Sequence, residues 1–314
     1  MIDPGALPLA LPPGLIGATV AAIGLIFGSF ANVCIHRVPA GESVVAPRSK
    51  CPSCGALIPW HGNIPLLSWL WLRARCRSCR APISAAYPLV EGVMGAGFLA
   101  AYLKFGLSID AVAAACLVFL CVVLTVIDIR HFLLPDLFTL PGLAMGIVFA
   151  LGRGLAATTA GRGSWIGGFL DAEILPLAAL GGAALGAAVP LAARAGYMLM
   201  RRLRGSGDIE PAEDPGGADD DVFEAAAEEG MGLGDVKMLA KAGAFLGPRM
   251  IMVAILLGSV GGCLLVLPWL GLSRRSFKTP VPFGPFIAAG VVAAAFAGED
   301  LSSWYSNWIV TLFQ

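Results

Sequence analysis

The chain is expected to be an all-α polytopic membrane protein, with about eight transmembrane helices and a zinc-stapled cytoplasmic loop domain. Three observations lead there. Apolar residues make up 57% of the 314 and charged residues only 13%, where a soluble domain is about a quarter charged. The apolar residues gather into long uncharged runs, and mean hydropathy is +0.80. Four cysteines stand as two CxxC pairs in the one long polar loop between early runs. The 40 glycines suit lipid, where small residues let helix backbones approach.

Candidate spans are Gly14–Val33, Ala86–Leu103, Ala111–Ile127, Leu137–Leu151, Ile174–Ala193, Val236–Leu246, Met250–Leu270 and Val281–Ala297. A full crossing takes about 20 residues. Leu137–Leu151 and Val236–Leu246 are therefore expected to tilt, to sit in thinned bilayer or to be re-entrant. The N-terminus has no basic residue before Arg37 and no clear small-residue cleavage site, so Gly14–Val33 is read as a retained helix.

Loop charge sets the orientation. With the first helix running outside to inside, 15 of the 21 basic residues fall on the cytoplasmic side. They include Arg37, Arg48, Lys50, Arg73, Arg75, Arg77 and Arg80 in the first loop, then Arg130, Arg194, Arg201, Arg202, Arg204, Arg274, Arg275 and Lys278. Lys104, Arg153, Arg162 and Arg249 lie opposite. This is a positive-inside bias.

The organisation that follows has five parts. Residues 1–33 carry the first span, and 34–85 form a cytoplasmic zinc module built on four cysteines. Residues 86–204 carry spans that include Asp128. Residues 205–230 hold ten acidic residues and no basic one, and read as a flexible cytoplasmic linker. Residues 231–314 carry the remaining spans and Gly232-Leu233-Gly234-Asp235. No internal repeat is evident.

Cys51-Pro52-Ser53-Cys54 and Cys76-Arg77-Ser78-Cys79 are separated by 21 residues. Each CxxC turn aims two sulfurs at one point, and two turns supply four thiolates for tetrahedral Zn²⁺. The alternative is unligated or disulfide-bonded cysteines, which a reducing cytoplasm disfavours. A loop of this size has little apolar core, so metal would supply folding energy. Four protein ligands leave no open position, which makes the site structural. It would present Trp60, Asn63-Ile64-Pro65 and the basic residues near the membrane. Cys34, Cys116, Cys121 and Cys263 read as packing residues.

Two aspartates carry the chemistry. Asp128 ends the run Ala111–Ile127, and Asp235 opens another. A carboxylate at membrane depth is costly and marks a functional site by default. Two on separate segments can share one proton. The ionised member then takes a proton from water while the protonated one polarises a carbonyl. Such a pair titrates as a unit. Gly232 and Gly234 would clear space beside Asp235 for a substrate backbone and a sharp turn. The plainer alternative for Asp235 is a helix cap. Asp136 can cap the helix from Leu137 or serve as an accessory group. Lys237 can stabilise the ionised pair, meet an acidic substrate residue, or snorkel to the interface. Glu91 can pair with Arg37, hold a cationic ligand or cap its helix. His36, His61 and His131 read as surface residues.

Taken together, the motifs resemble the bacterial type IV prepilin peptidases, a GxGD-type intramembrane aspartyl protease family whose members are prepilin leader peptidase/N-methyltransferases. The matching residues run in order. They are Gly28-Ser29-Phe30-Ala31-Asn32-Val33 with Arg37 and Pro39, the cysteine quartet, Asn63-Ile64-Pro65-Leu66-Leu67-Ser68-Trp69 and Tyr87-Pro88-Leu89-Val90-Glu91. Asp128 with Leu134-Pro135-Asp136, Gly232-Leu233-Gly234-Asp235-Val236-Lys237 and Pro282-Phe283-Gly284-Pro285-Phe286 follow.

The resemblance implies an inner-membrane enzyme. It would remove the leader of type IV prepilins or type II secretion pseudopilins after a glycine, at the cytoplasmic face. Asp128 and Asp235 match the catalytic aspartates, supported by Gly232, Gly234, Lys237 and Asp136. It also implies N-methylation of the new N-terminus with S-adenosylmethionine, linked to module 34–85. No motif marks the methyl-donor site; Arg37 and Glu91 are its candidates. Expected partners are prepilin or pseudopilin substrates and the bilayer, with no nucleic acid. A transporter-like protein with a zinc-stapled module and proton- or cation-relaying aspartates is the alternative. It would call for repeated halves or paired broken helices.

Overall fold

The computed structural model describes residues 12–159, 175–203, 232–273 and 282–312. The acidic segment 205–230 lies outside them, as do Arg162, Arg204, Arg274, Arg275 and Lys278 and the side chains of Trp60, His61, Arg201 and Arg202. Among the described residues there is helix and no β-ladder longer than an isolated bridge. The helices are α1 (Pro13–Arg37), α2 (Leu67–Trp71), α3 (Ala86–Phe105), α4 (Ile109–His131) and α5 (Asp136–Thr159). They continue with α6 (Leu175–Leu203), α7 (Leu233–Ser273) and α8 (Gly284–Leu312). Seven of these are long and apolar enough to cross a bilayer.

The expected count was eight, and Gly247 accounts for the difference. It interrupts α7 with φ 75°, ψ 176° just before Pro248, which has no N–H to continue the helix. Packing shows what the interruption does. Lys237 meets Asp136 and Ala244 meets Gly146, so the first arm (233–246) runs parallel to α5. Along the second arm, Gly258 and Gly262 face Phe286, Gly258 also faces Gly290, and Met250 faces Gly298. That arm is therefore antiparallel to α8, and α8 starts at Asp128. The second arm must return toward the level at which the first began. The arms correspond to the expected spans Val236–Leu246 and Met250–Leu270. At about 1.5 Å per residue, the first arm is shorter than a hydrocarbon core. Leu137–Leu151, expected to be short, instead lies within the 24 residues of α5. Pro141 falls early enough there that few backbone bonds are lost. Arg153, expected in a loop, is buried within α5 at 3% exposure.

The chain divides into two compact units, Met1–Val122 and Val123–Gln314, with the boundary inside α4. In the first, α1 and α3 pack antiparallel at glycine contact. A Cβ on Gly28 would lie 2.5 Å from Glu91 Cα, and one on Gly24 would lie 2.7 Å from Met94 O. Phe27 sits 5.5 Å from Phe98 and 6.0 Å from Phe119 by ring centroids, adding α4 to that core. In the second unit, Gly182 and Gly186 of α6 lie against the backbone of the first arm of α7. Phe149 packs 5.9 Å from Phe245. Small residues at crossings are how helices associate in lipid, where burying apolar area supplies no drive.

Candidate active site and cysteine cluster

Asp128 lies one turn before the end of α4 and is buried. Its Oδ2 accepts a hydrogen bond of 3.1 Å from the backbone N–H of Gly284, the first residue of α8. The N-terminus of a helix presents unpaired N–H groups and a partial positive charge, which favours an anion. The approach needs glycine: a Cβ on Gly284 would lie 2.5 Å from Asp128 Oδ2 and 3.0 Å from its Cγ. Asp235 stands in the first turn of α7, where the charge of Asp128 acts on it. Both belong to the second unit.

Past Asp128 the chain turns sharply. Phe132 adopts φ 49°, and its N–H closes on the carbonyl of Asp128 at 2.9 Å. Leu133-Leu134-Pro135 then lead into α5. Asp136 is its first residue, and the carbonyl of Pro135 takes the N–H groups of Phe138 and Thr139. Asp136 is bound instead to Lys237, whose Nζ is 2.6 Å from its Oδ1. The Thr139 hydroxyl donates to the same oxygen at 3.4 Å. Lys237 thus serves the accessory carboxylate, tying the start of α7 to the start of α5.

The two motif glycines have different surroundings. A Cβ on Gly234 would lie 2.9 Å from Leu134 Cβ, so this glycine admits the loop after α4. Gly232 has open space, its nearest neighbour being Gly234 N at 3.9 Å. The residues that lead into Gly232 lie outside the described ones, so the turn expected there does too. Lys241, six residues after Asp235, is wholly buried in the same arm.

In the first unit, the four Sγ atoms of Cys51, Cys54, Cys76 and Cys79 lie within 4.8 Å of one another. The two turns that bring them there are copies. Cys51 N–H donates to Ala56 O at 2.9 Å, and Cys76 N–H to Ala81 O at 2.8 Å. Gly55 N–H donates to Cys51 O, and Arg80 N–H to Cys76 O. Ile58 N–H donates to Ser49 O, and Ile83 N–H to Ala74 O. The bridges Lys50–Leu57 and Arg75–Pro82 complete the match. An internal repeat therefore exists where none was evident. Residues 49–58 and 74–83 share their cysteines and Ser53/Ser78, Ala56/Ala81 and Ile58/Ile83, too few identities to stand out. The N–H groups of Cys79 and Ser78 lower the Cys76 thiol, while Cys51 and Cys79 beside it raise Cys54, as expected of thiols crowded together. Four clustered sulfurs on two such knuckles fit tetrahedral thiolate coordination.

The candidates for a methyl-donor site have backbone partners. Arg37 donates to the carbonyls of Ser43 at 2.9 Å and Pro47 at 2.7 Å, shaping the loop after α1. Glu91, buried in α3, accepts the N–H of Leu66 at 2.8 Å. Leu66 holds φ 58°, so this bond pins a strained turn. Asn32 donates to Tyr87 O at 3.1 Å, and His36, expected as a plain surface residue, stacks on the Tyr87 ring at 5.1 Å. Ile26, Ser29, Phe30, Val33, Asn63 and Pro65 line a groove of about 260 Å³ in the same unit.

Comparison with known proteins identifies the family. Residues 22–105 match the model of the bacterial peptidase A24 N-terminal domain, and residues 115–267 match that of the type IV leader peptidase family. The chain is 33% identical to a prepilin leader peptidase/N-methyltransferase of Aeromonas hydrophila, over 93% of this chain and 94% of that one. It is 37% identical to one from Myxococcus xanthus, over 85% and 68%. It is 36% identical to one from Burkholderia pseudomallei, over 92% and 88%. No solved structure matches the chain. With relatives of this identity aligned over most of its length, the chain belongs to the type IV leader peptidase family.

Proposed function

We propose that this protein is an aspartyl endopeptidase of the bacterial inner membrane. It removes the leader of type IV prepilins or pseudopilins at the cytoplasmic face and then N-methylates the new N-terminus. The observation that carries the reading is that Asp128, seated on the α8 N-terminus, lies near enough for its charge to act on Asp235 of a separate helix.

The chemistry follows from the hydrogen bond. Asp128 Oδ2 accepts from Gly284 N–H, so the proton the pair shares is not on that oxygen. A water between the carboxyls gives one proton to the ionised group, and its oxygen adds to the scissile carbonyl carbon. The protonated group stabilises the oxygen on which charge develops. Collapse of the tetrahedral species breaks the C–N bond. The amine leaves with a proton from the pair, which returns to its singly protonated state. Gly284 and the Lys237–Asp136 bridge act by position: one seats Asp128, the other holds the helix that carries Asp235.

Cys51, Cys54, Cys76 and Cys79 would hold Zn²⁺, which supplies cross-linking of the 34–85 module and no catalytic step. The methyl transfer belongs with that module and takes its methyl group from S-adenosylmethionine. Arg37 and Glu91 are its candidate residues, each with backbone partners in the same module. The relatives' names, which join peptidase and methyltransferase, support the two-step reading.

Co-expression with a type IV prepilin, followed by intact-mass measurement of the product, tests both steps. Leader loss plus one methyl group is expected. A substrate of unchanged mass, in cells that hold the folded enzyme, would overturn the proposal.

A further inference from the structure

The second cysteine knuckle and the short helix before it form a surface of the first unit. In α2, Leu67, Leu70 and Trp71 are 61%, 63% and 88% exposed. An apolar cluster of this kind marks a contact surface. Arg73, Arg75, Arg77 and Arg80 follow it, all exposed. The repeat shows how unequal the two knuckles are. At the corresponding places the first one has Arg48, Lys50, Pro52 and Gly55. Two of the arginines are held at a cost. Arg80 adopts φ 62° where the first knuckle uses Gly55 at φ 71°, and Arg73 adopts φ 49°. Left-handed backbone favours glycine, and the neighbouring Leu66 and Ala74 adopt it as well.

The fold also sets the height of this surface. The N–H of Leu66, which leads into α2, is bonded to Glu91. Glu91 is five residues inside α3, about 7 Å along its axis. Asn63 and Pro65 line a groove with Ile26, Ser29, Phe30 and Val33 of α1. Those residues precede the end of α1 at Arg37 by four to eleven positions, about 6–16 Å. The segment before α2 therefore lies beside two spanning helices, below their ends. Trp69 Nε1 donates to Ile83 O at 3.2 Å, which joins α2 to the second knuckle. The exposed Leu67, Leu70 and Trp71 follow that segment directly, and the four exposed arginines follow them in sequence.

We propose that this surface docks on the bilayer that α1 and α3 cross: Leu67, Leu70 and Trp71 enter the headgroup–acyl border, and Arg73, Arg75, Arg77 and Arg80 bind the phosphates of anionic lipids. Tryptophan is at home at that depth. Guanidinium groups pair with phosphate through two parallel N–H bonds. The attraction to an anionic leaflet is worth about fivefold in affinity per arginine. Anchored on both sides, the knuckle is held flat against the membrane.

The test uses the full chain in nanodiscs of phosphatidylcholine, with or without phosphatidylglycerol. Tryptophan emission is compared between wild type and Trp71→Phe, and the difference is the Trp71 signal. That signal should be quenched by lipid brominated near the headgroup and protected from acrylamide in water. Phosphatidylglycerol should increase the protection, and high salt should remove the increase. The Arg73/Arg75/Arg77/Arg80→Gln variant should lose it while retaining its zinc. If that variant loses zinc, Arg80→Gly replaces it; this change relieves the backbone and should weaken the phosphatidylglycerol preference about fivefold. A Trp71 signal reached by acrylamide and untouched by brominated lipid would overturn the proposal. So would a signal that neither quencher reaches, which would mean a protein cover such as a second copy. Equal protection in both lipid mixtures would overturn the anionic-lipid assignment.

Discussion

The backbone N–H of Gly284 holds Asp128 Oδ2 at 3.1 Å across 156 positions of sequence. The contact joins the end of α4 to the beginning of α8 and exists only because residue 284 has no side chain. It gives one carboxyl of the pair a fixed orientation and an acceptor-only oxygen.

Gly284→Ala should lower leader cleavage about 100-fold while the protein remains folded. The added Cβ would lie 2.5 Å from Oδ2, so either the carboxylate or the start of α8 must move. Misplacing a reacting group by about 1 Å costs that much. Cleavage rates, with helix content by circular dichroism as the control, check it. A rate within twofold of wild type would show that the contact does not position Asp128.

Lys237 and Asp136 should behave as a bridge. The side chains are 40% and 54% exposed, so water screens the pair and its contribution to stability is small. Lys237→Ala and Asp136→Ala should each reduce cleavage mildly, and the double variant should be little worse than either. The exchanged pair, Lys237→Asp with Asp136→Lys, should recover part of the loss. A cycle of these variants assayed for cleavage measures the coupling, and purely additive losses would contradict it.

Metal removal should act on the first unit alone. Cys51→Ser or Cys76→Ser should lower zinc content from about one per chain. It should also expose module 34–85 to proteolysis, while Asp128 and Asp235 remain assembled in the second unit. Limited proteolysis with metal analysis reads both. Loss of cleavage activity in step with zinc would contradict the separation.

The knuckle repeat makes its own prediction. Arg80→Gly should leave the module as stable or stabilise it by up to about 1 kcal/mol, because glycine takes the left-handed conformation without steric cost. Gly55→Ala should destabilise it by about 1 kcal/mol or more, since no neighbour stands within 4 Å of a Cβ there and only the backbone, at φ 71°, resists. Zinc release to a competing chelator ranks the variants.

Much of this was legible in the sequence. Asp128 and Asp235 stood out because a charge at the edge of an apolar run is expensive and rare. The quartet stood out because CxxC spacing is a geometric requirement of the turn. Other features were hidden for equally physical reasons. The partner of Asp128 is a backbone amide, which has no sequence signature beyond a glycine among 40. Lys237 could have answered any nearby carboxylate, and only the placement of α5 beside α7 selects Asp136. Glu91 accepts the Leu66 N–H, a backbone partner that has no sequence signature. The break at Gly247-Pro248, by contrast, was legible, because the expected spans Val236–Leu246 and Met250–Leu270 end and begin on either side of it. The knuckle repeat escaped because it is conserved in hydrogen-bond pattern more than in side chains.

The most direct test is the cleavage rate of Asp128→Asn and Asp235→Asn, each purified in folded form and supplied with prepilin. Both changes keep shape and burial but abolish the exchangeable acid. The rate should fall about 10³-fold or more in each, with the double variant no slower than the singles. Turnover near the wild-type rate in either one would mean that these two groups do not jointly activate the water.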